Sequence, residues 1–145
     1  MADVPRSKTL ATAWVLLVVL GFLLVAGALG SFTVAYRRTP DIIAGTELAR
    51  LETVDSNLPD ALRGRRATSA ALSFSTGVFL IWIALIPFRR RERWAWRAVA
   101  SALGGAGALS LARIPALDMR QGSGTSAVVF VWVALALIIS YRDFR

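Results

Sequence analysis

Residues 9–36 read TLATAWVLLVVLGFLLVAGALGSFTVAY, a run of 28 residues without a charge. A helix rises about 1.5 Å per residue, so about 20 residues cross the roughly 30 Å hydrocarbon core of a bilayer. Three further uncharged runs follow, at Ala67–Phe88, Ala98–Ala112 and Gln121–Tyr141, of 22, 15 and 21 residues. The 26 charged residues are confined almost entirely to the stretches between them. A lone strand in lipid would leave its backbone groups unpaired, so the runs read as helices. The expected fold is all-α: a single domain over residues 1–145, built as an antiparallel four-helix transmembrane bundle. Its spans fall at about 9–36, 67–88, 94–113 and 124–141, with an extramembrane linker at 37–66.

The third run is the short one. Trp94 and Trp96 precede it, and Arg97 and Arg113 at its ends have stems long enough to carry their charges toward headgroups, which makes a span of it. The first run, preceded by Arg6 and Lys8 and containing Ala26-Gly27-Ala28, has the outline of a secretory signal. It is far longer than a signal core of about 7–15 residues, so it is expected to be retained.

Composition agrees with a membrane location. Hydrophobic residues make up 56% of the chain and the mean hydropathy is +0.58. The net charge of +8 would suit nucleic acid, but the arginines flank apolar spans instead of forming one basic stripe, and attraction to anionic headgroups accounts for them. The chain has no Cys and no His, which removes disulfides, thiol chemistry and the commonest zinc and haem ligands. No cofactor and no metal is expected.

The linker contains Ile42, Ile43, Leu48, Leu51 and Val54 among Glu47, Arg50 and Glu52, a pattern that predicts a short amphipathic helix over Asp41–Asp55 lying on the bundle end or headgroups. A lid over a cavity is the sharper alternative. Ser56-Asn57-Leu58-Pro59-Asp60 is a helix start, and the second helix should end at Pro87. The third should stop before Pro115, at about Arg113. Helix 3 also carries small residues every four positions: Ala100, Gly104 and Ala108, with Ser101 and Gly105 beside them. Such stripes let helix backbones approach, so Ala100, Gly104, Gly105 and Ala108 are the expected packing positions. Ala26/Gly30 and Gly27/Ser31 repeat the pattern in helix 1. Ser69, Ser73 and Thr76 share a face of helix 2 and can bond across helices or back to their own carbonyls.

No ionisable residue stands deep in a span, where it would be the first flag of a transport path or proton relay. Nucleophile and phosphate-loop motifs are absent, and no histidine can serve as general base. Apart from Asp3 near the amino terminus, carboxylates occur only between or beside the spans, at Asp41, Glu47, Glu52, Asp55, Asp60, Glu92, Asp118 and Asp143. A pair from the linker together with Asp118 is the one place where a metal or acid/base site could assemble; solvated loop charge is the simpler account. No catalytic residue is expected.

The most distinctive string is Pro87-Phe88-Arg89-Arg90-Arg91-Glu92-Arg93-Trp94-Ala95-Trp96. It is a tight basic turn followed by two interfacial tryptophans, so Arg89, Arg90, Arg91, Arg93, Trp94 and Trp96 are expected to anchor the chain at the membrane interface. It resembles a string in small bacterial four-helix membrane proteins of the DoxX-like and related families, where an arginine-rich turn leads to Glu-Arg/Lys-Trp-Ala-Trp at the third span. The resemblance covers residues 58–100 and implies a four-span fold in the bacterial cytoplasmic membrane, with no catalytic residue to carry over. Arg91 departs from it, standing where that turn is expected to have Gly.

Counting Lys and Arg hardly orients the chain, with nine on the side of the termini and eight on the other. The crowding of Arg89, Arg90, Arg91 and Arg93 in one turn favours both termini in the cytoplasm. The expected role is a non-enzymatic accessory or structural bundle that engages membrane lipids, another membrane protein or a second copy, and no nucleic acid. The alternative is a subunit of an oligomeric transporter or channel for a small or apolar solute.

Overall fold

In a computed structural model of the chain, the residues described are 8–37, 42–43, 46–47, 50, 53, 55–117 and 123–145. Helix α1 covers Lys8–Tyr36. Two short strands pair antiparallel, β1 at Ile42–Ile43 and β2 at Thr46–Glu47. Helix α2 covers Leu58–Ile83 and passes into a π-helical turn at Ala84–Phe88; α3 covers Arg93–Val99, a second π-helical turn covers Ala100–Gly104, and α4 continues over Gly105–Leu117. Helix α5 covers Ser123–Ser140 and ends in a 3₁₀ turn at Tyr141–Phe144. The fold is helical, as expected. Three helices, at Lys8–Tyr36, Leu58–Phe88 and Gly124–Phe144, are long and apolar enough to cross a membrane. The fourth, α3 and α4 together, is divided by its π turn into shorter pieces.

The chain forms two compact units. The first comprises residues 1–21 and 79–145. Its contacts fix helix directions: Thr9 Oγ1 donates to Asp143 Oδ2 at 2.8 Å and Trp132 Nε1 to the Leu16 carbonyl at 2.9 Å, so α1 and α5 run antiparallel. Trp96 bonds the Leu137 carbonyl while Gly107 meets Phe130, so α3–α4 is antiparallel to α5 as well. The core follows a three-and-four spacing, with Leu10, Ala13, Leu17 and Leu20 on α1, Leu80, Ala84 and Phe88 at the end of α2, and Val133, Ala136 and Ser140 on α5. That is the seam of helices packed at shallow angles.

The second unit comprises residues 22–78. Here Ala28 and Ala35 on α1 and Ala70 on α2 are buried, and Arg66 Nε donates to Ser31 Oγ at 3.3 Å, an antiparallel pairing again. Gly27 and Gly30 face open space and Ala26 is exposed, so of the small-residue stripes expected on α1 only Ser31, which accepts from Arg66, lies on its contact line. That line runs through Ala28 and Ala35, seven apart. A helix apolar all round gives no periodic signal by which to choose a face. On α2, Thr76 bonds back to the Leu72 carbonyl at 2.8 Å, one of its two expected options.

The amphipathic helix expected over Asp41–Asp55 needs correction in its first half. Ile42, Ile43, Thr46 and Glu47 are extended and paired, in keeping with three β-branched residues that favour strands, with Ala44-Gly45 between them. Most of the remainder of that segment, and all of residues 118–122, lie outside the described residues. Helix α2 begins as expected: the Ala61 amide reaches the Asn57 carbonyl at 3.0 Å and Pro59 sits in the first turn.

Both interior prolines lie further into helices than expected. Pro115 falls within α4, near its end, where it removes only one ladder bond. Pro87 falls inside the π turn that closes α2, buried. Having no N–H to give, it forces the ladder to reroute, and a widened turn accommodates that.

Candidate membrane-interface site

The turn after α2 is built around Arg91. Its φ is 61°, in the left-handed region. The Glu92 amide donates to the Pro87 carbonyl at 3.0 Å and the Arg91 amide to the Phe88 carbonyl at 3.0 Å. This pair of bonds closes a helix on a left-handed residue, a position where glycine is preferred because it has no Cβ to clash. The sequence departure at Arg91 thus marks a backbone that glycine would suit and arginine occupies. Glu92 then turns extended, with ψ at 117°, and α3 begins.

Around this turn the start of α1, the end of α2, the start of α3 and the end of α5 converge. Phe88 is fully buried and its ring centroid lies 4.7 Å from that of Phe144. The Arg89 guanidinium lies over the Trp14 ring at 5.5 Å, a cation–π contact that ties the turn to α1. Arg89, Arg90 and Arg93 are exposed and Arg91 is half-buried.

The two tryptophans divide their roles. Trp94 is exposed, its Nε1 donating to Glu92 Oε2 at 2.6 Å. Trp96 is half-buried, its Nε1 donating to the Leu137 carbonyl at 3.2 Å and its ring 5.9 Å from that of Tyr141. Trp96 is therefore also a helix-to-helix tie. A carbonyl in a helix keeps a second lone pair after its ladder bond, and a partly buried indole N–H needs an acceptor. Trp132 uses the same device on Leu16. Sequence reasoning assigned Trp132, Trp14, Tyr141 and Arg145 no role, because an indole in an apolar run does not reveal which carbonyl it will meet.

The expected packing positions on helix 3 are displaced by one residue. Gly104 and Gly105 face open space, Ala108 is exposed and Ala100 is only half-buried. The close approach is at Gly107, where a Cβ would stand 2.4 Å from Phe130 Cδ2. Ala95, Val99 and Gly107 are buried and Leu103 half-buried, a line with a period of four. In a regular helix such a line drifts by about 120° over twelve residues, and one inserted residue returns about 100° of that. The Ala100–Gly104 π turn supplies the insertion and keeps the line on one face. Ser101 contributes to it, since its hydroxyl bonds the Arg97 and Ala98 carbonyls at 2.9 and 3.3 Å. The period was legible; its phase depended on a turn that no residue type announces.

Among the described residues no group of three or more carboxylates comes together to hold a metal ion. Asp41, Glu52 and Asp118 lie outside them. Compared with known proteins, the chain matches no family model, no curated protein and no solved structure.

Proposed function

We propose that the chain is a four-crossing integral membrane protein of the cytoplasmic membrane, similar in plan to DoxX-like four-span proteins. In this reading it has no catalytic machinery and engages anionic lipid or another membrane protein through one basic, aromatic end. The single observation that carries it is the convergence described above, in which Arg89 over Trp14, Phe88 on Phe144 and Trp96 beside Tyr141 draw arginines and amphipathic rings to one end of the first unit. Each Lys or Arg near an anionic surface contributes on the order of 1 kcal/mol, and this fades over a Debye length as salt rises. Arg93 to Leu117 is long enough for the remaining crossing, at about 1.5 Å per residue through its π turn.

Two measurements test the proposal. Topology reporters fused after Arg50, Arg91, Met119 and Arg145 should alternate, with Arg91 and Arg145 cytoplasmic; equal signals after Arg91 and Met119 would remove the crossing by α3–α4. Substituting Arg89, Arg90 and Arg91 together with Gln should weaken orientation or the retention of anionic lipid. If both match the unmodified chain, a protein partner becomes the better account of the basic turn.

A further inference from the structure

A groove of about 450 Å³ runs along α5 where it faces α3, lined by Trp96, Ala134, Leu137, Ile138 and Tyr141. Ala134, Leu137, Ile138 and Tyr141 stand at helical spacings of three and four, so they form one strip about 10 Å long. Ala134 gives the strip its depth, having only a methyl group between larger neighbours. Trp96 forms the other wall. Its N–H is committed to the Leu137 carbonyl, so the wall has a fixed setting.

A second cleft, of about 250 Å³, shares Trp96 and Tyr141 with the groove and adds Arg93, Arg97 and Arg145. Among the described residues no carboxylate pairs with any of these three guanidinium groups. The nearby acids are engaged elsewhere: Glu92 accepts from Trp94 and Asp143 from Thr9. Arg145 instead lies over the Tyr141 ring at 5.6 Å, poised at the junction of the two spaces. A polar, triply cationic mouth opening onto an apolar strip has the complementarity of an anionic amphiphile.

We propose that this combined site binds one anionic phospholipid, with its phosphate held by Arg93, Arg97 and Arg145 and an acyl chain laid along Ala134, Leu137 and Ile138. The proposal rests on the membrane-embedded reading above and narrows it from a general basic anchor to one site. The two halves do different jobs. Lipid tails are as apolar outside the groove as within it, so the strip contributes shape and residence time, and the arginines contribute the choice of headgroup. A zwitterionic choline headgroup would bring its own positive charge among three guanidinium groups and be disfavoured.

The test is native mass spectrometry of the full chain in detergent, with phosphatidylglycerol and phosphatidylcholine of identical acyl chains, and inorganic phosphate as a third probe. One phosphatidylglycerol should be retained in preference to phosphatidylcholine. Arg97→Gln with Arg145→Gln should weaken its retention roughly thirtyfold, from two phosphate-facing charges. Ala134→Phe should shorten retention of phosphatidylglycerol with Arg93, Arg97 and Arg145 all intact. Thermal unfolding adds a second readout, because phosphatidylglycerol should raise the melting temperature of the unmodified chain and not of the double variant. Inorganic phosphate competing as well as lipid would overturn the proposal in favour of a bare anion site. If the double variant keeps the bound lipid while the Arg89, Arg90 and Arg91 triple variant loses lipid, this site fails and the general anchor stands. If the unmodified chain shows no preference for anionic lipid, both fail together.

Discussion

The two units of the chain are held by different means. In residues 1–21 and 79–145 the buried positions include Leu10, Leu17, Leu80, Phe88 and Val133, and the indoles of Trp96 and Trp132 bond to backbone carbonyls of neighbouring helices. Among the described residues of 22–78 the buried apolar side chains are Pro59 in the first turn of α2 and alanines at 28, 35 and 70, while Phe22, Leu29, Phe32 and Leu72 stay exposed. Where lipid tails surround a protein, burying leucine against leucine gives little advantage, and association rests on close backbone approach and interhelical hydrogen bonds. The second unit uses close approach almost alone. The first adds hydrogen bonds and aromatic contacts, which specify register and direction as well as proximity. It is also the unit that holds the basic cleft lined by Arg93, Arg97 and Arg145, the site proposed above for a headgroup.

The largest effect should come where the first unit itself depends on close approach. Gly107→Leu forces a side chain into Phe130 and is expected to destabilise the protein by about 3 kcal/mol, read as a large drop in melting temperature in detergent. Gly104→Leu, three residues away, meets open space and should leave melting nearly unchanged. An equal loss at Gly104 would mean that this face packs against a second copy.

Next in size is the alanine contact of the second unit. Ala70 is 4% exposed, and Ala70→Leu should cost about 2 kcal/mol by pushing α1 and α2 apart. Leu72, 65% exposed on the same helix, should tolerate Leu72→Ala within about 0.5 kcal/mol. Reversal of that order in a thermal melt would break the distinction between a small-residue seam and a lipid-facing surface.

That distinction was only partly legible in the sequence. Charge-free runs announce helices because the bilayer admits few alternatives, and Pro59 with Asn57 announced where α2 starts. The contact faces were not announced. In α1 every face is apolar, so Ala28 could not be told from Ala26, and in helix 3 the packing line runs one residue earlier than expected, through Leu103 and Gly107, kept on one face by an unheralded π turn. The tight turn after Pro87-Phe88 was legible, and it was the resemblance that set Arg91 where Gly is expected, at the residue whose φ is 61°. Its partners Trp14, Tyr141 and Phe144 were not, since they come from remote parts of the chain.

Trp132→Phe sharpens the comparison from the side of hydrogen bonding. It keeps an aromatic ring but removes the donor to the Leu16 carbonyl, which retains its ladder bond, together with part of the indole's volume. A loss of about 1 kcal/mol is expected, and Trp96→Phe should behave alike. No change in either melt would mean that the two indole hydrogen bonds contribute nothing to the stability of this unit.

The smallest net effect concerns the strained link within the better-specified unit. Arg91 occupies a left-handed backbone closed by bonds from its own amide to Phe88 and from Glu92 to Pro87, and neither bond uses its side chain. A side chain with a Cβ costs about 1 kcal/mol or more in that region, so the turn persists because the packing of Phe88 and the two bonds over-determine it. Arg91→Ala keeps the strain and loses a cation near the C-terminal end of α2, where positive charge is favourable. Arg91→Gly loses the same cation but relieves the strain, and should melt higher than Arg91→Ala by an amount equivalent to about 1 kcal/mol. Against arginine itself the gain should shrink to about 0.5 kcal/mol, because glycine loses more freedom on folding and the charge is gone. Arg91→Asn, which tolerates the left-handed region, should fall between Gly and Ala. If Gly and Ala melt together, the turn relaxes without cost, and the first unit holds its basic end less tightly than its hydrogen bonds suggest.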